Sequence, residues 1–190
     1  MKAGTRVVGV AESYRGDRSP GEASTLAGAV VRADRVVDGL VFGSLTVGGL
    51  DGTDAVCELF SELDREDVQY LLLAGIAPAW YNVVDLSEIA DRIDPPVCAV
   101  SFERSAGLEG PIKRAFSGDE RDRRLTTYER QPARKRIEVN GETLYWRGVG
   151  LDSAAARELL STLTPEGGRP EPLRVARLAA RAADRFREDL

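Results

Sequence analysis

Apolar residues gather into short unbroken runs in the first part of the chain and into helical stripes further along. Thr5 to Ala11 is nearly all apolar, as a strand buried on both faces would be. Arg15 to Glu22 is rich in Gly, Pro and charge and reads as a loop. A second run spans Ser24 to Arg32, and Ala33-Asp34-Arg35 turns the chain. A third strand runs from Val36 to Val47 and ends at Gly48-Gly49. Three strands joined by short connections predict an antiparallel meander.

Beyond Gly49 the period changes. Val56, Leu59, Phe60 and Leu63 recur at helical spacing behind Asp51 or Thr53 as the cap. Val68 to Ala74 is apolar apart from Gln69 and predicts a central strand. Leu86, Ile89, Ala90 and Ile93 mark a second helix behind Asp85 or Ser87, stopped by Pro95-Pro96. Val97 to Phe102 predicts a strand and Leu108 to Phe116 a helix. Ser117 to Lys135 is packed with charge and poor in apolar residues, which predicts a flexible loop or a solvated helix end. Within Ile137 to Trp146, Asn140-Gly141 supplies the positive φ values of a type I′ hairpin turn. Asp152-Ser153 caps an Ala/Leu-rich helix to Leu163, and a last amphipathic helix covers about Leu173 to Phe186.

The order is therefore β-β-β-α-β-α-β with further α and β elements. That is the order of an RNase H-like α/β fold, a mixed sheet flanked by helices. Its 190 residues read as one such domain, 1–190, with a charged loop at 117–135 and a C-terminal hairpin and helices. In that fold, acidic residues collect at the ends of the first and fourth strands and on the helix after the third. There two divalent ions roughly 4 Å apart clamp a phosphodiester. Magnesium needs hard oxygen ligands, hence carboxylates.

Composition narrows the chemistry. The net charge of -5 gives no overall positive field toward nucleic acid. The basic residues are almost all arginine, with Lys2, Lys113 and Lys135 the only lysines. There is no histidine, which excludes histidine general-base catalysis, and with two cysteines a Cys/His zinc site is excluded too. Cys57 and Cys98 lie in apolar stretches and read as buried thiols of a cytoplasmic protein. No apolar run approaches the ~20 residues that cross a bilayer, so no membrane partner is expected. Gly48-Gly49 matches neither a P-loop nor a dinucleotide fingerprint.

Several segments resemble the archaeal DUF99 (UPF0215) family, which is similar to endonuclease V. The first strand ends Gly9-Val10-Ala11-Glu12-Ser13, where the family carries Gly-Ile-Asp-Asp-Gly and endonuclease V carries Gly-Val-Asp-x-Ser-Tyr; Ser13-Tyr14 keeps that tail. Val47-Gly48-Gly49-Leu50-Asp51-Gly52-Thr53 follows the family's Val-x-Gly-x-Asp-x-Thr. Leu73-Ala74-Gly75-Ile76 stands where the family has Leu-Asp-Gly-Ile. Tyr81-Asn82-Val83-Val84-Asp85 and Pro170-Glu171-Pro172-Leu173-Arg174-Val175-Ala176 match further motifs, although Arg177 stands where the family usually has His. The resemblance implies an endonuclease V-like fold. Its departures, Ala11 and Ala74, fall on the catalytic carboxylates.

No residue is a firm catalytic candidate on this reading, and no bound metal or other cofactor is expected. Glu12 is the acid nearest the lost first ligand, against a bland reading as a solvated loop carboxylate. Asp51 is the best retained acid, against a helix cap. Trp80 and Tyr81 offer stacking faces for a base, against a place in the core. Asn82 either faces the cleft or holds the loop. Arg174 and Arg177 offer phosphate contacts, against an ion pair with Glu171 or a neighbouring acid. Three functions follow: a non-catalytic domain that binds nucleic acid or a protein partner, a diverged Mg-dependent nuclease using Glu12 and Asp51, or a structural or regulatory domain.

Overall fold

The structure is a computed structural model that describes residues 1–188. Its centre is one seven-stranded sheet in the order β3-β2-β1-β4-β5-β7-β6. β1 (Arg6–Glu12), β2 (Ala23–Arg32) and β3 (Val37–Thr46) form the antiparallel meander that the apolar runs predict. α1 (Gly52–Leu63) crosses over so that β4 (Val68–Leu73) lies parallel to β1, with Val10 opposite Leu73. After α2 (Pro78–Tyr81) and α3 (Leu86–Arg92), β5 (Val97–Ser101) adds parallel to β4. The hairpin β6 (Lys135–Val139) and β7 (Glu142–Val149) turns at Asn140-Gly141 with φ values of 52° and 79° and extends the sheet antiparallel to β5.

Side chains alternate across the strands and divide the core into two layers. Val8 and Val10 face one way, toward Val56 and Leu59 of α1 and Leu86 and Ile89 of α3. Val7, Leu72 and Cys98 face the other way and share a cluster with Leu159 and Leu160 of α6 (Ser153–Leu163) and Leu173 of α7 (Glu171–Glu188). Burial pushes the Cys98 thiol up to about 12, so it stays a neutral packing group.

The charged segment 117–135 corrects the loop expectation. Its larger part is a helix, α5 (Gly118–Glu129), following α4 (Glu109–Ala115). Asp119 and Glu120 in its first turn complement the helix dipole, and Glu, Arg and Leu are good helix formers. Its buried side chain is Arg124, so no apolar stripe announces the helix. α2 is also absent from the apolar pattern. It is a tight turn that is left-handed at Ala79 and Trp80, with φ values of 43° and 59°.

α7 lies very close to β1. A Cβ on Gly9 would fall 2.3 Å from the carbonyl carbon of Pro172 and 2.6 Å from its Cβ. Two motifs far apart in sequence, Gly9-Val10-Ala11 and Pro170-Glu171-Pro172, therefore meet backbone to backbone. Gly9→Ala is expected to push α7 off the sheet and cost about 1–3 kcal/mol, as overpacking does, read as a lower midpoint in urea unfolding. A midpoint equal to the parent's would mean that α7 is free to shift.

Candidate functional site

The parallel pairing of β1 with β4 brings the two strand ends together. The Ala74 amide donates to the Val10 carbonyl at 3.0 Å. Ala11, 3% exposed, packs in a small apolar cluster with Ala29, Val31 and Ala176 of α7, and Ala74 borders the same cluster. The adjacency of Ala11 and Ala74 expected from the element order and the motif matches is present, at the C-terminal ends of the sheet's central strands.

Glu12 remains within β1 and lies on the opposite face from Ala11. It is not a solvated loop carboxylate. Its side chain accepts hydrogen bonds from the Tyr14 amide and, at 3.0 Å, from the Ser24 hydroxyl. Burial raises its carboxyl above the usual carboxylate value, while those hydrogen bonds and the Arg177 charge oppose the rise. The unfolded chain then releases this proton at a lower pH than the folded one. Stability is expected to fall as pH climbs from the ordinary value of 4.5 through the folded value, then to level off. Glu12→Gln should remove that decline, which urea unfolding across this pH range will show.

Asp51 and Asn82 brace a loop. Asp51 stands at the cap position of α1, yet its carboxylate makes no cap bond. It accepts from the Thr46 hydroxyl at 2.8 Å, the Thr46 amide at 3.1 Å and the Asn82 side-chain amide at 2.5 Å. Asn82 is fully buried; it also donates to the Thr46 carbonyl at 2.9 Å and accepts from the Gly52 amide at 2.8 Å. Of its two readings, holding the loop is the one present, with both side-chain amide hydrogens engaged. Asp85 caps α3, accepting from the Ser87 and Glu88 amides, and pairs with Arg130 at 2.8 Å.

Trp80 and Tyr81 gather around Phe116, with ring centroids 5.0 and 6.2 Å away. Both rings are half-buried. Arg124, missed in the sequence, stacks 3.7 Å over Phe116. It donates to the carbonyls of Tyr81 at 3.0 Å, Glu120 at 2.8 Å and Gly49 at 2.9 Å, and to that of Gly48. Burial lowers its pKa, although arginine stays protonated throughout the working range.

The two α7 arginines part company. Arg174 is exposed and bound to Glu171 at 2.5 and 2.7 Å, which is the bland reading. Arg177 is half-buried and makes no ion pair within 4.0 Å among the described residues. It lines a cavity of about 230 Å³ with Ala74, Phe102, Arg169, Arg174 and Arg181. Burial pushes the Arg177 guanidinium below its usual value; the Glu12 charge opposes this, and the nearby Arg181 and Arg169 charges add to it. Sequence reading passed over Arg181, although residues 174, 177 and 181 share one helical face. A second cavity, about 450 Å³, starts from the next residues along, Gly75 and Ser101, and is bordered by Tyr128, Arg134, Tyr145 and Arg147. Among the described residues, no three Cys, Asp or Glu side chains are grouped to hold a metal ion.

The family model described as Endonuclease dU matches residues 3–184. The chain belongs to that family. A UPF0215 protein of Pyrobaculum aerophilum is 32% identical over 168 residues, covering 88% of this chain and 89% of the relative. The chain also shares its fold with two solved structures. A protein of unknown function from Archaeoglobus fulgidus has a TM-score of 0.81 at 23% identity, covering 94% of this chain and 98% of that one. Ciona intestinalis endonuclease V, solved in complex with an inosine-containing DNA, has a TM-score of 0.62 at 12% identity, covering 96% and 86%. The fold is thus RNase H-like, as the element order implies. No helix among the described residues is long and apolar enough to cross a membrane.

Proposed function

We propose that this member of the Endonuclease dU family binds a nucleic-acid strand at the ends of β4 and β5 without cutting it. One observation carries the reading: the two adjacent strand ends present Ala11 and Ala74, α7 covers Ala11 with Ala176, and the next residue of α7, the cation Arg177, lines a cavity together with Ala74. Two dications need several carboxylate oxygens to offset their charge. Methyl groups supply none, and a guanidinium repels the ions. The space between Ala11, Glu12, Ala74 and Gly75 is about 20 Å³ and otherwise apolar, on the scale of one water. Asp51 is engaged with Thr46 and Asn82, and Glu12 with Ser24 and Tyr14. The residues present do not fit the metal pair, and no cleavage step is derived through one.

Binding is supported by two cavities bordered by neighbouring residues where β4 and β5 end. Ala74 and Phe102 border the arginine-lined one, Gly75 and Ser101 the larger one with its tyrosine rings. Its 450 Å³ is within the range of pockets that hold small ligands and leaves room for a nucleobase. The endonuclease V that shares this fold was solved with inosine-containing DNA.

The test pairs two assays on the intact protein. Fluorescence anisotropy with dU-containing, inosine-containing and unmodified strands should show salt-sensitive binding in EDTA. Incubation of the same strands with Mg²⁺ or Mn²⁺ should leave them uncut. Metal-dependent cleavage that survives repurification and disappears in Glu12→Gln or Asp51→Asn would establish the diverged nuclease instead.

A further inference from the structure

We infer that the cavity lined by Arg169, Arg174, Arg177 and Arg181 beside Ala74 is a phosphate site, in which guanidinium groups hold directly the anion that a metal pair would otherwise clamp. The inference rests on the nucleic-acid reading above and names what its site takes: a phosphate group of the strand.

Three observations converge. The charge of the site is inverted: two strand-end carboxylate positions are alanine, and the helix facing them contributes arginines at one-turn spacing. The cations are also largely unspent. Among the described residues, Arg169, Arg177 and Arg181 make no ion pair within 4.0 Å, and the Nε of Arg181 is buried with no hydrogen-bond partner. A buried N–H without an acceptor is costly, so this guanidinium is not satisfied by the protein alone. Finally, the cavity has room. Its volume of about 230 Å³ admits a phosphate with accompanying water, and Arg169, stacked 4.5 Å over Phe102, closes one side.

Like charges crowd here. Arg177 feels Arg169 and Arg181 as well as burial, and Glu12 is the carboxylate that offsets it. Glu171 is paired with Arg174. That leaves an excess of positive charge in a recess of an acidic protein, where low-dielectric walls focus the field. Arginine suits the task because its fixed fork of donors matches two oxygens of one phosphate. Glu12, held by Ser24 and the Tyr14 amide, does not line the cavity and leaves its guanidinium groups open to an anion.

The experiment uses the full chain in EDTA. Three probes are titrated by calorimetry: inorganic phosphate, a short single strand with a terminal phosphate, and the same strand ending in a hydroxyl. The Arg Nε–H signals are followed by NMR in parallel. All three probes should shift the Arg177 and Arg181 signals, and phosphate should compete with both strands. A clear preference for the phosphorylated strand assigns the pocket to a terminal monoester; equal binding assigns it to the backbone diester. Arg177→Gln and Arg181→Gln should each weaken strand binding by about tenfold and lower the salt slope by about 0.7. The exposed Arg114→Gln should change little. Unmoved Nε–H signals in the parent with strand binding intact would overturn the phosphate site and leave the nucleic-acid reading standing. Shifts with phosphate alone, and no strand binding, would keep the anion pocket and overturn the nucleic-acid reading.

Discussion

Arg124→Met is expected to destabilise the protein by about 3 kcal/mol or more, although it removes a charged residue from a helix rich in them. Methionine refills much of the volume, so the loss reports on donors rather than on a cavity. The guanidinium serves the carbonyls of Gly48, Gly49, Tyr81 and Glu120 and caps the Phe116 ring. Its side chain is fully buried. Each buried acceptor left without a donor costs roughly 1–3 kcal/mol, and water can reach only some of them. The three partners outside its own helix belong to the glycine pair after β3 and to the α2 turn, so one side chain ties the α5 helix to both loops. Because α2 is held left-handed at Ala79 and Trp80, release of Tyr81 should free that turn, and backbone amide exchange at 79–82 should rise well above the parent's. Arg124→Lys has the charge but not the fork and should recover less than half of the loss. Urea unfolding decides the matter: a cost below about 1 kcal/mol, the usual range of a surface substitution, would mean that the loops hold themselves.

Arg124 also shows where reading the sequence runs out. Hydrophobic period finds helices that bury apolar stripes, and it finds α1, α3, α6 and α7 that way. α5 buries a cation whose partners are main-chain carbonyls, which have no sequence signature, so a charge-dense helix is indistinguishable from a charged loop. The sheet was legible for the converse reason. β1 and β4 are apolar apart from Gln69 and the ends Arg6 and Glu12, as central strands tend to be, and a meander followed by crossovers has few right-handed solutions. That constraint, together with the motif matches, sets Ala11 beside Ala74. The loop network of Asp51, Asn82 and Thr46 was beyond the sequence because its members are up to 36 positions apart and joined by amide geometry alone. Arg181 was within reach from its helical spacing to Arg177. Arg169 was not, since it sits in a turn-rich connection and reaches the cavity only through the packing of Phe102.

The site's charge inversion predicts an order of events when carboxylates are put back. Ala11→Asp with Ala74→Asp is expected to gain no Mn²⁺ response, and the same pair with Arg177→His is expected to gain one. Ala11 is packed among Ala29, Val31 and Ala176, so an aspartate there enters an apolar site and must find a partner. In the double variant Arg177 is the partner at hand. An ion pair forms where the metal would have been, and a divalent ion would have to displace a guanidinium already neutralising the site. Histidine in its place removes the permanent charge and supplies a nitrogen ligand once deprotonated. Without metal, the triple variant then holds two carboxylates close together in a poorly solvated place. It should be the least stable of the series by several kcal/mol. Mn²⁺ at a hundredfold excess over its dissociation constant should return about 2.7 kcal/mol, which for a chain of this size is a rise in Tm of roughly 5–10 °C. The parent should show no such rise. Equal Mn²⁺ responses in the double and triple variants would mean that Arg177 does not govern the site's charge, and the phosphate reading of its cavity would lose its electrostatic basis.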